Sequence, residues 1–219
     1  QVAGLLRCSQ TVGHVGEVIA EPLGVDVLDA FTERVQLVAG RPGCCRELID
    51  GRVDMHVPKV EMLAFKDLAE ILGGAEELVA GILLSLEGDI EGSMLFVLEN
   101  KAAHHLVHKL MGSDGSTLED SFTEMEQSAL VEIGNIISGA YLTAISQLTN
   151  LNIIQTVPSL AIDMAGAILS VPAIEFGKLG DKALLIESQF EDDEIDVCGY
   201  FILIPTLESY TRILKSLGM

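Results

Sequence analysis

The chain repeats itself after position 52, and that repeat constrains its possible folds more than any other feature. Val57-Pro58 opens one unit and Val157-Pro158 opens the next. Later in each unit come a glycine, a β-rich run, a short polar break and an amphipathic helical pattern. These are GSMLFVLENKAAHHLVHKLMG from Gly92 to Gly112 and GYFILIPTLESYTRILKSLG from Gly199 to Gly218. Each unit therefore reads strand, helix, strands, helix. Two such units predict an α/β (α+β) fold with pseudo-twofold symmetry, its central β-sheet core covered by helices packed outside. Pro58 and Pro158 each follow a valine and read as strand-start or turn devices.

Between the repeats lies SALVEIGNIISGAYLTAISQL, residues 128–148. It contains no proline and is rich in Ala, Leu and Ile, which predicts a helix. At about 100° per residue, Ser128, Glu132, Asn135, Gly139, Thr143 and Ser146 share one stripe. Leu130, Ile133, Ile137, Ala140, Tyr141, Ala144 and Leu148 fall on the opposite side, which can face a core. The outward stripe has one acid, one carboxamide and otherwise small residues. A partner surface could approach it closely, with Glu132 and Asn135 projecting farthest. A lone Glu–Asn pair on a helix usually marks only a solvated face.

Composition excludes several functions. The chain has 219 residues, 49% of them hydrophobic, which is enough for a packed core. Trp is absent, so Leu, Ile, Val and Ala must fill it. The formal net charge of −20 repels nucleic acid and anionic membranes. No apolar run approaches the roughly 18 residues of a membrane helix, and no signal segment opens the chain. A cytoplasmic protein without membrane insertion is the expectation. Cys8, Cys44, Cys45 and Cys198 form no C-x-x-C pair, which suits reduced thiols rather than a zinc site. His104 and His108 are one turn apart, but no acid or cysteine stands at a telling spacing, so they read as a helix face. The run Glu191 to Glu194 reads as a loop between strands. No metal site is predicted.

Residues 1–52 and 53–219 are written in different styles. The first segment holds five arginines and no lysine, with a net charge of −2; the second holds one arginine and seven lysines, with −18. Three of the four cysteines also fall in the first.

The spacing Ser128-x3-Glu132-x2-Asn135-x22-Pro158 resembles the signature of the CheC/CheX/FliY phosphatases of bacterial and archaeal chemotaxis, and lies closest to CheC. All four positions match. The resemblance runs from about Val53 to Met219 and includes VDMHVPKVEML, EGDIEGSMLFVLE, EIGNIISGAYLTAIS and SLAIDMAGAIL. In that family each half begins with its own motif helix. Counting back from Pro58 by the same spacing puts the first copy's motif on Leu28, Thr32 and Val35, and none of them matches. Residues 1–52 are thus either a degenerate first motif helix or, upstream of about Glu47, a segment out of its native reading frame. The second alternative predicts that this segment packs poorly.

The resemblance implies dephosphorylation of the response regulator CheY, phosphorylated on an aspartate beside the regulator's own Mg²⁺. No cofactor of the chain itself is expected. Asn135 would orient the attacking water, and Glu132 would pair with a lysine of the partner. Ser128 and Gly139 would keep the contact face small, although Ser128 could equally bond within its helix. The family's helix and aspartate beyond the proline help bind the receptor deamidase CheD, which points to Asp163. The alternative is a non-catalytic adaptor of the same fold, binding CheD or the flagellar switch. A full FliY carries a further switch domain, so a chain ending at Met219 is expected to differ from it.

Overall fold

A computed structural model describes residues 54–111, 121–176, 182–191 and 196–216. The atypical segment 1–52, with the degenerate positions Leu28, Thr32 and Val35, lies outside the described residues, and so does the test of its packing. The first unit contains β1 (Asp54–Ala64), α1 (Phe65–Ile71), β2 (Leu78–Gly88), β3 (Gly92–Glu99) and α2 (Asn100–Met111). The long helix α3 (Glu124–Thr149) and the short strand β4 (Ile153–Gln155) follow. The second unit repeats the first as β5 (Ser159–Met164), α4 (Ala165–Phe176), β6 (Lys182–Glu191), β7 (Asp196–Pro205) and α5 (Leu207–Ser216).

The strands form one antiparallel sheet in the order β1-β6-β7-β3-β2, with β4 and β5 both on the far edge of β2. The order is palindromic, because each unit lends its first strand to the other unit's sheet edge. The registers repeat as well. One ladder runs from Lys59↔Glu187 to Ala64↔Lys182, and its twin from Ser159↔Leu83 to Met164↔Leu78. The second starts at the residue after Pro158, but β1 already pairs with β6 from Asp54↔Glu191, so Pro58 lies within its strand and not, as expected, at its start. In β1 the register shifts between His56 and Lys59, where Pro58 has no N–H to give. Val60 and Leu160 thus pair with Ile186 and Ile82, and these pair with Phe201 and Phe96. Phe96 and Phe201 pair with each other, their rings stacked 4.4 Å apart, and mark the pseudo-twofold axis. The equivalence of Gly92 with Gly199 needs correcting by two residues within the strands, since the ladder makes Met94 the counterpart of Gly199.

Side chains alternate across the sheet and build two cores. Ala80, Ile82, Leu84, Met94, Phe96 and Phe201 face α2, α3 and α5. Val79, Leu95, Val97, Ile202 and Ile204 face α1 and α4. The mixed sheet-and-helix architecture is the one the repeat predicted.

With 26 residues, α3 is long and apolar enough to cross a membrane by length and composition. Half of that span is buried against the sheet instead. Among the described residues it is the one such helix. Its scattered polar residues hid it from a search for an unbroken apolar run.

Candidate functional site

The site stands on the outer face of α3, whose start is fixed locally. Thr123 Oγ1 accepts from the Glu126 N–H at 3.3 Å, and Glu126 Oε2 accepts from the Thr123 N–H at 2.7 Å. This reciprocal pair satisfies donors that a helix N-terminus leaves unpaired. The Thr123 N–H and, second to it, the Thr123 hydroxyl, which donates to Glu126 Oε2 at 2.8 Å, hold the Glu126 carboxyl below the usual carboxylate range, with nearby His108 and His104 adding to the effect. His108 Nε2 lies 3.4 Å from Glu126 Oε1, and His104 stacks on Phe122 with ring centroids 3.7 Å apart. The histidine cluster therefore fastens α2 to the start of α3. No group of three metal-ligating side chains forms among the described residues.

The apolar side of α3 packs as its periodicity predicted. Leu130, Ile133, Ile137, Tyr141 and Ala144 are buried, whereas Ala140 and Leu148 are half-buried. Tyr141 meets Phe201 at the pseudo-twofold axis, with centroids 4.2 Å apart. Gly134 permits the close approach, since a Cβ there would stand 2.4 Å from Ile82 Cδ1 and 2.9 Å from its Cγ2. The opposite stripe therefore faces outward, with Ser128, Glu132 and Thr143 exposed and Asn135, Gly139 and Ser146 half-buried.

The helix ends at Asn150, in the left-handed region at φ 56°. Ser146 Oγ donates to Leu151 O at 2.6 Å, and the Asn152 N–H donates to Asp89 Oδ2 at 2.8 Å. The Asp89 N–H donates to Asn152 O at 2.8 Å in return. These bonds clip the turn after α3 to the β2–β3 hairpin, and β4 follows along β2. Gln155 pairs with Leu86. Residues directly opposite in an antiparallel pair point to the same face. Leu86 is buried in the α3 core, so Gln155 rises toward α3 as well.

Gln155 is the residue that sequence reasoning missed. Its Nε2 donates to Asn135 Oδ1 at 2.8 Å and to the Asn135 main-chain oxygen at 3.3 Å. The main-chain oxygen can only accept, so the end of Gln155 facing Asn135 must be its NH₂. The side-chain atom of Asn135 beside that NH₂ must then be the oxygen. Gln155 passes over Gly139, where a Cβ would lie 3.4 Å from Nε2 in ordinary contact. A small side chain at Gly139 would therefore still admit Gln155. A hint was present in the sequence: the fixed gap from Asn135 to Pro158 has to span the helix end, the turn and β4.

The other predicted residues separate. Glu132 lies one turn from Asn135 on the same stripe and is exposed. Ser128 Oγ donates to Glu124 O at 2.9 Å, so its proton is used inside the helix. Asp163 lies on strand β5 and not on a helix, because α4 begins at Ala165. Its Oδ1 accepts from the Met164 N–H at 2.7 Å. Asp163 pairs with Val79, whose side chain belongs to the α1/α4 core, so it points away from the α3 face. The structure does not bring Asp163 to the Glu132–Asn135 stripe.

A model of the CheC-like family matches residues 125–162, the whole of the stripe and β4. The chain is 33% identical over 175 residues to the CheY-P phosphatase CheC of Bacillus subtilis, covering 78% of this chain and 84% of that one. Among solved structures, Thermotoga maritima FliY superposes with a TM-score of 0.69 at 18% identity, covering 90% of this chain and 98% of that chain. The FliM middle domain of H. pylori superposes with a TM-score of 0.66 at 9% identity, covering 89% and 99%. Those two likenesses concern the fold alone. The extent and identity of the match to CheC, with the motif set on an outward helix face, decide the family: the chain belongs to the CheC-like family.

Proposed function

We propose that this chain is an aspartyl-phosphate phosphatase acting on phosphorylated CheY, with Asn135 and Glu132 as its working residues. The observation that carries this reading is the placement of Asn135. Its carboxamide stands on the outward stripe of α3, in a chain 33% identical to a CheY-P phosphatase. An acyl phosphate is already activated, so hydrolysis needs placement more than covalent help. Water attacks phosphorus in line with the bond to the partner's aspartate. The new P–O bond forms as the acyl P–O bond breaks, the aspartate leaves as carboxylate, and the water protons end on phosphate and solvent.

A neutral carboxamide suits this task. It can accept from water and donate to a phosphoryl oxygen without repelling the negative charge, as a carboxylate would. Glu132, one turn back, pairs with a lysine of the partner and orients it. The partner brings its own Mg²⁺. Ser128 and Gly139 let its surface close on the helix. This reading carries with it a cytoplasmic location, where the regulator is phosphorylated. Asp163, exposed on the other face of the sheet beside exposed Met164, would serve a separate surface for CheD.

The test is decay of phosphorylated CheY with the parent and with Asn135→Ala. The parent should accelerate decay, and Asn135→Ala should lose about 100-fold in kcat, the scale of a misplaced reacting group. Full activity in the variant would overturn the assignment.

A further inference from the structure

We propose that Gln155 is a positioning residue for Asn135, one that sets which end of its carboxamide meets the reacting group. This rests on the phosphatase reading above. Gln155 Nε2 donates to both the side-chain and main-chain oxygens of Asn135, at 2.8 and 3.3 Å. The double contact removes the freedom of the carboxamide to turn over, because the main-chain oxygen accepts only. Asn135 therefore commits one lone pair of Oδ1 to the protein. Left for the partner are both protons of Nδ2 and the second lone pair of Oδ1.

That set matches what the reaction needs. The second lone pair takes one proton of the attacking water, which turns a water lone pair toward phosphorus. The Nδ2 protons reach a phosphoryl oxygen. Donation from Gln155 into Oδ1 also polarises the amide, which makes Nδ2–H a better donor. Gln155 is itself held by position: it is the last residue of β4, opposite buried Leu86. Its neighbour Thr156 is tied to Ser85 by two bonds, Thr156 N–H to Ser85 O and Ser85 N–H to Thr156 Oγ1, each at 3.0 Å. Catalytic groups on a helix need such a rigid second support to hold their geometry.

The experiment uses the full chain and two near-isosteric variants. Gln155→Met removes the donor, and Gln155→Glu replaces it with an acceptor that faces two oxygens. Steady-state hydrolysis of phosphorylated CheY is measured alongside ¹⁵N relaxation of the Asn135 carboxamide. Expected is a fall in kcat of about 10- to 100-fold with KM changed less than about twofold, since the contact surface is left alone. The Asn135 NH₂ should be as rigid as the backbone in the parent and mobile in Gln155→Met. Loss of rigidity supports the proposal even if the parent proves not to be a phosphatase, in which case only the functional reading falls. An Asn135 carboxamide equally rigid in Gln155→Met would overturn the proposal. So would unchanged kcat in both variants alongside an inactive Asn135→Ala.

Discussion

Glu132 and Asn135 stand one turn apart on the same outward stripe, yet the molecule holds them differently. Around Ser128 and Glu132 no second element arrives among the described residues: the Ser128 hydroxyl bonds back to Glu124 O, and Glu132 is exposed. Around Asn135 and Gly139 a second element arrives, because β4 brings Gln155 over Gly139 and onto Asn135. On the function proposed above, the difference separates two tasks on one helix. A group that docks by charge can be left free to find its partner. A group that aligns a water must already be in place when the partner arrives, because alignment made during the reaction costs rate.

The two glycines of α3 draw the same contrast. Gly134 faces inward, where a Cβ would meet Ile82 at 2.4 Å; Gly139 faces outward, where a Cβ would only touch Gln155 at 3.4 Å. The sequence shows both as glycines in a helix.

The largest effect expected on this contrast is the loss of about 100-fold in kcat in Asn135→Ala, already described, on the braced side. Next comes Gly134→Ala. Overpacking costs about 1–3 kcal/mol, offset by up to about 1 kcal/mol of helix propensity. A net loss of about 1–2 kcal/mol should appear in urea unfolding, and a gain in stability would show that α3 can lift from β2. On the free side, Glu132→Lys should raise KM for phosphorylated CheY about 10-fold and leave kcat nearly unchanged. That penalty should shrink with added salt, and a pure kcat effect would place Glu132 in the chemistry instead.

Smaller still is Thr123→Ala, which removes the cap of α3 and should cost about 1 kcal/mol. The carboxyl of Glu126 is held below its ordinary range by Thr123. Its stabilising contribution is therefore full above the unfolded glutamate range and is lost as pH falls through the lowered folded value. The variant keeps the main-chain N–H, the larger of the two causes, and loses only the hydroxyl, so it should be weakened at neutral pH and lose slightly less on acidification. Parallel acid-unfolding curves for parent and variant would rule out this linkage. Smallest is Gly139→Ala, where propensity gain and light contact with Gln155 nearly cancel, within about 0.5 kcal/mol by thermal melting.

Much of this was legible beforehand because it depends on local rules. The period of α3 separates Leu130, Ile133, Ile137 and Tyr141 from Glu132 and Asn135 whatever the helix packs on. Val157-Pro158 announces a strand because proline stops what precedes it, and the β5 ladder does begin one residue later; Val57-Pro58 misleads, because β1 already pairs from Asp54 and Pro58 only shifts its register. The glycine equivalence missed by two residues because register is set by cross-strand pairing, which a single strand does not display. Asp163 followed the same logic. Its place on a strand facing α1 and α4 comes from its pairing with Val79, not from its neighbours in sequence.

What the sequence by itself determined is the two-unit α/β plan, the helix with its two faces, and the residues that project from the outer one. Those follow from backbone periodicity and side-chain size, which act over a few residues. Only the tertiary structure decided that Phe96 and Phe201 meet on the axis, that Gly134 is a contact, and that Gln155 grips Asn135. Each joins residues from separate elements, and the Asn135–Gln155 bond spans twenty positions. Such a bond exists only once β4 has folded back along β2 and the parity of that strand has turned Gln155 toward the helix.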